Sequence, residues 1–153
     1  MKKLILPAAL SAAMLLSLAG CAKTAAETPK TTMADGTYTA EMDDASAEAA
    51  YGWRDRLVVE YKDGALVSAV FDSYDADGNK KSETTPDTYP MDPAPSAWMP
   101  ELNDQLLKSG GSGEIDGVTG ATMATNNAKA MMKAILDSGV AGETVVVSEP
   151  TAG

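Results

Sequence analysis

"RLVVEYKDGALVSAVF", residues 56–71, is the stretch that decides the fold. Two runs rich in Val, Leu, Tyr and Phe flank Asp63-Gly64. An Asp-Gly pair between β-rich runs signals a two-residue type I′ turn, whose central residues both take positive φ. The expectation is a hairpin over residues 56–72. A plain two-residue register pairs Tyr61 with Leu66, Val59 with Ser68 and Leu57 with Val70, and these six then share the core face. Arg56, Val58, Glu60, Val67, Ala69 and Phe71 fall on the other face, which is mixed. Upstream, "GTYTAE" from Gly36 to Glu41 reads as a strand entering the same sheet.

Downstream, "DSYDADGNKKSE" has the outline of a calcium loop with Gly78 at its sixth position. Ser73 then stands where the first Asp belongs and Thr84 where the bidentate Glu belongs, so a polar turn leaving the second strand is the better reading. Five prolines between Pro86 and Pro100 imply a long irregular connection. A helix begins near Ser96 or Pro100 and ends at Gly110-Gly111, with Trp98, Met99, Leu102 and Leu106 at helical spacing. Trp98 suits either the core or a stack against a planar cofactor. A second helix runs from about Met123 to Ser138. Ala128, Met131, Met132, Ile135 and Leu136 form its apolar stripe, and Gly139 stands at the C′ position. The adjacent methionines suggest copper, but their spacing belongs to a core face. "ETVVVS" supplies a short last strand. The fold class is α+β: a small antiparallel sheet packed with two helices in a single domain over 35–147, followed by a tail over 148–153.

The leader is a separate matter. Lys2 and Lys3 precede an uncharged apolar run from Leu4 to Leu18, then Ala19, Gly20 and Cys21. This is the layout of a secretory signal over 1–20, too short and wrongly flanked to span a membrane. Its end, "LSLAGC", resembles the lipobox of bacterial lipoproteins. That resemblance implies cleavage before Cys21 and a diacylglyceryl group on its sulfur. Residues 21–34 then form the lipidated Cys and a polar tether reaching about 45 Å at roughly 3.5 Å per residue. The expected location is the cell membrane, lipid-anchored on the extracytoplasmic face.

Composition removes whole classes of chemistry. The chain has no His, and Cys21 is its one cysteine. The exported domain therefore has no disulfide, thiol-redox centre, Cys-ligated cluster, imidazole-bound metal or Ser-His-Asp triad. No metal site is expected. Net charge is −10, and loss of Lys2 and Lys3 leaves 10 basic against 22 acidic residues, or −12. Nucleic acid is an improbable partner for such a surface.

The site lies in "DGVTGATMATNN", residues 116–127. Gly117 and Gly120 permit tight turns and close approach of a ligand. The stretch opens the second helix, where unpaired N–H groups and the macrodipole favour a phosphate. The bland alternative is that Thr122 or Thr125 merely caps the helix, with Asp116 as a turn former.

The run Asp116-Gly-Val-Thr-Gly-Ala-Thr122 resembles the flavinylation motif of the FMN-binding domain family, as in the flavin subunits of the sodium-pumping NADH:quinone reductase. The likeness covers roughly Asp35 to Asp137. It implies that Thr122 receives covalent FMN through a phosphoester, with Asp116, Gly117, Thr119, Gly120, Ala121 and Thr125 as its cofactor-binding surroundings. It further implies an FMN transferase for maturation and a membrane redox partner, quinone-linked or another flavoprotein. The function expected is that of an electron carrier, including extracellular electron transfer, rather than a stand-alone enzyme. An acidic domain disfavours the anionic reduced flavin and so lowers its potential. In "GWRD", Gly52 to Asp55, Arg54 is available to a phosphate or a reduced flavin and Trp53 to the ring. An ordinary Arg–Asp pair beside a buried Trp fits equally well. The rival function is a non-flavin surface lipoprotein with a binding or structural role.

Overall fold

In the computed structural model, which describes residues 33–150, the chain turns at Asp63-Gly64 with φ of 53° and 74°. The leader, Cys21, the tether through residue 32 and the end of the tail lie outside the described residues. The turn joins β1 (Arg54–Lys62) to β2 (Ala65–Tyr74), and Tyr61 faces Leu66 as expected. Beyond that pair the register moves by one. Glu60 faces Ser68, Val59 faces Ala69 and Leu57 faces Phe71, which leaves Val67 as the extra residue of a bulge. The plain pairing of Val59 with Ser68 and Leu57 with Val70 is thus corrected. A one-residue insertion exchanges the faces of a strand. Here it buries Phe71 and Ala69 and leaves Val70 47% exposed. Phe offers the core more apolar area than Val, so burial favours the bulged register.

The entering strand, β0, spans Gly36–Met42 and pairs antiparallel with β1, Tyr38 opposite Val59. The last strand, β3 (Thr144–Val147), lies parallel to β0, Thr39 opposite Thr144. The four-stranded sheet, in the order β2-β1-β0-β3, is therefore mixed rather than wholly antiparallel. Hairpins make antiparallel neighbours, whereas a parallel neighbour requires a long return path. Two helices provide it: α2 (Pro95–Lys108) and α3 (Thr122–Ser138). A short helix, α1 (Asp44–Ala49), follows β0, and a single 3₁₀ turn spans Lys81–Glu83. The sequence DASAEA of α1 has no apolar stripe, so periodicity does not reveal it.

The core lies between one face of the sheet and the helices. Leu57, Val59 and Tyr61 meet Met99, Leu102 and Leu106 of α2 and Met131, Met132 and Ile135 of α3, all buried. Both methionines are core residues, as their spacing requires. Gly139 does follow α3, but with φ −64° rather than a left-handed value. A Cβ there would stand 2.5 Å from the Ile135 carbonyl oxygen, so close approach explains this glycine. The polar turn after β2 is organised by Asp75, which accepts from the backbone of Asp77 and Asn79 and from the Asn79 amide. The Asn79 side chain in particular holds that carboxyl below its ordinary pKa.

Candidate functional site

The loop ahead of α3 is held by residues from other elements. Gly117, at φ 104°, donates its N–H to Gln105 Oε1 and accepts at its carbonyl from Gln105 Nε2, each at 3.2 Å. One amide side chain on α2 thus mimics a strand partner for this residue. Val118 N–H donates to Thr125 Oγ1 at 3.4 Å, and Ala121 N–H donates to the Val118 carbonyl at 3.0 Å. Gly120, at φ 82°, packs so tightly on Pro93 that a Cβ would fall 2.7 Å from the ring's Cδ. These contacts deliver Thr122 as the first residue of α3.

That helix start is uncapped. Ala121 occupies the cap position, and no side chain bonds to the first turn. The reading in which Thr122 or Thr125 caps the helix is therefore corrected: the buried Thr125 hydroxyl is already engaged by Val118 N–H. The first intrahelical bond runs from Thr125 N–H to the Ala121 carbonyl, at 2.8 Å. Among the described residues, the N–H groups of Thr122, Met123 and Ala124 have no acceptor, and the exposed Thr122 hydroxyl has no partner. Unpaired donors at a helix start carry the positive end of its dipole.

Those residues open onto a cavity of about 550 Å³. Gly120, Ala121 and Thr122 of the motif line it. Asp116 and Thr119 are exposed and lie off it, and Gly117 and Thr125 act from behind to shape the loop. Trp53 and Tyr89 also line it and meet edge to face, ring centroids 5.9 Å apart. Lys81 lies over both rings, 4.5 Å from the Tyr89 centroid and 5.7 Å from that of Trp53. Farther along the wall Asp55 accepts from Ser73 Oγ at 2.5 Å and from Asn127 Nδ2 at 2.9 Å. Trp98 is 4% exposed and belongs to the core, yet it also borders the cavity. Its Nε1–H has no acceptor among the described residues.

Of the "GWRD" pair, the structure separates the two roles. Trp53 reaches the cavity, whereas Arg54 donates to the Met42 carbonyl at 2.7 Å and pairs with Asp44, tying β1 to the start of α1. Sequence reasoning missed Gln105, Lys81, Tyr89, Asp55 and Asn127. Asn127 falls inside the quoted motif stretch and Asp55 inside "GWRD", so their proximity to recognisable motifs was the available signal. Lys81 opens the 3₁₀ turn after β2 and Tyr89 sits in the irregular connection, and no periodicity points to either.

The fold and site thus define a small α+β domain whose cavity meets an uncapped helix start. The chain is 33% identical over 114 residues to the 15 kDa lipoprotein of Treponema pallidum (strain Nichols), covering 71% of this chain and 78% of that protein. It belongs to the family of that lipoprotein. The fold is also similar to the crystal structure of the CPE2226 protein from Clostridium perfringens. The TM-score is 0.64 at 25% identity, over 74% of this chain and 96% of that one. No family model matches the chain. No helix among the described residues is long and apolar enough to cross a membrane.

Proposed function

We propose that this lipoprotein is an electron carrier on the extracytoplasmic face of a membrane, with FMN joined to Thr122 through a phosphoester. The observation that carries the reading is the position of Thr122: a free hydroxyl on an uncapped helix start, lining a cavity that Trp53 and Tyr89 also line. The residues present fit the group. About 550 Å³ lies within the range of small-molecule and cofactor sites. Three unpaired N–H groups at a helix N-terminus suit a phosphate, and the Trp98 N–H is a buried donor without an acceptor.

Each part of the chain then has a task. Thr122 Oγ1 forms the ester, and the N–H groups of Thr122, Met123 and Ala124 hold the phosphate's charge. Trp53 and Tyr89 give a planar ring an apolar wall. Asp55, fixed by Ser73 and Asn127, presents a carboxylate whose oxygens are both already engaged. Gln105, Thr125 and the Gly120–Pro93 contact keep the loop in register with the cavity. Bound flavin supplies the electron transfer, and the protein supplies position and electrostatics. A covalent link keeps the cofactor where dilution outside the cell would otherwise remove it. Lipid, tether and a cavity open to its surroundings suit exchange with a redox partner at the same membrane, after loading by an FMN transferase.

Co-expression with such a transferase, Mg²⁺ and FAD tests this directly. Intact mass should rise by one FMN less one water, and the yellow colour should survive denaturation and gel filtration. Thr122→Ala should lose the adduct, whereas Thr119→Ser should keep it. A wild type without adduct, or an adduct on Thr122→Ala, overturns the assignment in favour of a non-flavin lipoprotein with a binding or structural role.

A further inference from the structure

We propose that Lys81 is the charge-compensating residue of the cavity, holding the negative charge that a planar ring acquires on reduction. This rests on the flavin reading above and goes beyond it by assigning a residue that controls potential. Lys81 is the one basic side chain lining the cavity among the described residues. Its ammonium is located by two ring faces, at 4.5 Å from Tyr89 and 5.7 Å from Trp53. Cation–π attraction fixes a lysine without neutralising it. No carboxylate among the described residues pairs with it, whereas its neighbour Lys80 pairs with Glu83. Asp55, which also lines the cavity, accepts from Ser73 and Asn127 and not from Lys81. In a chain of net charge −10, an unpaired cation kept at a cavity wall is a selective feature of that wall.

The chemistry needs such a group. Two electrons from a reduced redox protein and one proton from solvent convert the neutral ring into a monoanion. The one net negative charge gained must be met inside the cavity, and the acidic domain as a whole opposes it. Lys81 offsets that opposition locally, so it favours the reduced form and leaves binding of the oxidised form little changed.

The test measures the midpoint potential of flavin held by the full chain. Where co-expression yields the Thr122 adduct, the adduct is used; where none forms, free riboflavin at saturation on the same chain replaces it. Lys81→Met should disfavour reduction about tenfold, close to 30 mV downward for a two-electron couple. Lys81→Arg should restore the wild-type value, and Lys80→Met, the same charge change off the cavity, should leave it unmoved. Equal potentials for wild type and Lys81→Met overturn the proposal. So does an equal shift in Lys80→Met, which would assign the effect to overall charge, and so does failure of the chain to hold flavin in either form. A Lys81-dependent potential with riboflavin but no adduct would sustain Lys81 while removing the ester at Thr122. The two readings therefore fail separately.

Discussion

The two helix starts that flank the cavity are built in opposite ways. The six-residue α1 opens with Asp43, whose carboxylate accepts from Ser46 N–H at 2.8 Å, Ser46 Oγ at 2.6 Å and Ser148 Oγ at 2.7 Å. The seventeen-residue α3 opens on Ala121 with no side-chain bond at all, although three threonines lie within four residues of it. Side-chain caps are common and each is worth about 0.5–2 kcal/mol. A helix that declines one, with suitable residues at hand, keeps its N–H groups available for something else. The short helix is closed for stability. The long one is left open, and its stability comes instead from the buried stripe of Ala128, Met131, Met132 and Ile135.

If the open start depends on its loop rather than on a cap, damage to the loop should cost most. Gly120→Val puts a β-branched residue at φ 82° and drives its Cβ toward Pro93 Cδ. The left-handed strain and the overlap together should cost about 3 kcal/mol. Chemical denaturation should show the loss, and formation of the proposed Thr122 adduct should fall with it even under conditions where the variant remains folded. A variant as stable as wild type would mean that Pro93 does not hold the loop.

Next in size is Gln105→Ala, which leaves the Gly117 N–H and carbonyl without their partner. Loss of the pair should cost about 1–3 kcal/mol. Gln105→Glu sharpens the comparison, because it keeps the acceptor for Gly117 N–H and removes the donor to its carbonyl. Its stability should fall between the two, as read from denaturation midpoints.

How much of this was legible in sequence follows from how local each feature is. The Asp63-Gly64 turn, both long helices and the apolar stripe of α3 depend on neighbours within a few residues, and their patterns announced them. The bulge at Val67 did not, because it is settled by which of Phe71 and Val70 the opposing core accepts. The parallel pairing of the last strand depends on the path of the whole chain. Of the residues that line the cavity, the motif contains Gly120, Ala121 and Thr122, but Trp53, Lys81 and Tyr89 are brought there only by the fold. The uncapped state of α3 was invisible for a different reason: a run with hydroxyls to spare reads as a capped helix until each hydroxyl is traced to its partner.

The capped start makes a smaller, pH-dependent prediction. The Ser46 hydroxyl, then Ser148 and the Ser46 backbone, lower the Asp43 pKa to about 2 from 3.8. A carboxyl whose folded pKa is depressed stabilises the fold above its unfolded pKa and loses that contribution as pH falls through the folded value. Asp43→Asn should therefore melt below wild type at pH 5, and the gap should close between about pH 4 and pH 2. A gap of constant size across that window would mean that the charge of Asp43 contributes nothing.

The smallest expected effect on stability belongs to Thr122, the residue proposed to carry the cofactor. Thr122 is exposed, caps nothing and has no partner among the described residues. Thr122→Ala removes only a hydroxyl and a methyl from a solvent-facing position, and Ala is the better helix former by a few tenths of a kcal/mol. The variant should melt within about 0.5 kcal/mol of wild type, as expected for a surface change away from caps and core. Thr125→Ala provides the contrast, because it removes a buried hydroxyl that receives Val118 N–H and a methyl that packs on Gly117. It should be the less stable of the two by about 1 kcal/mol. Parallel thermal melts of the two variants decide the matter. Should Thr122→Ala prove the more damaging, then Thr122 is a structural residue after all, and the open helix start loses its reason to be open.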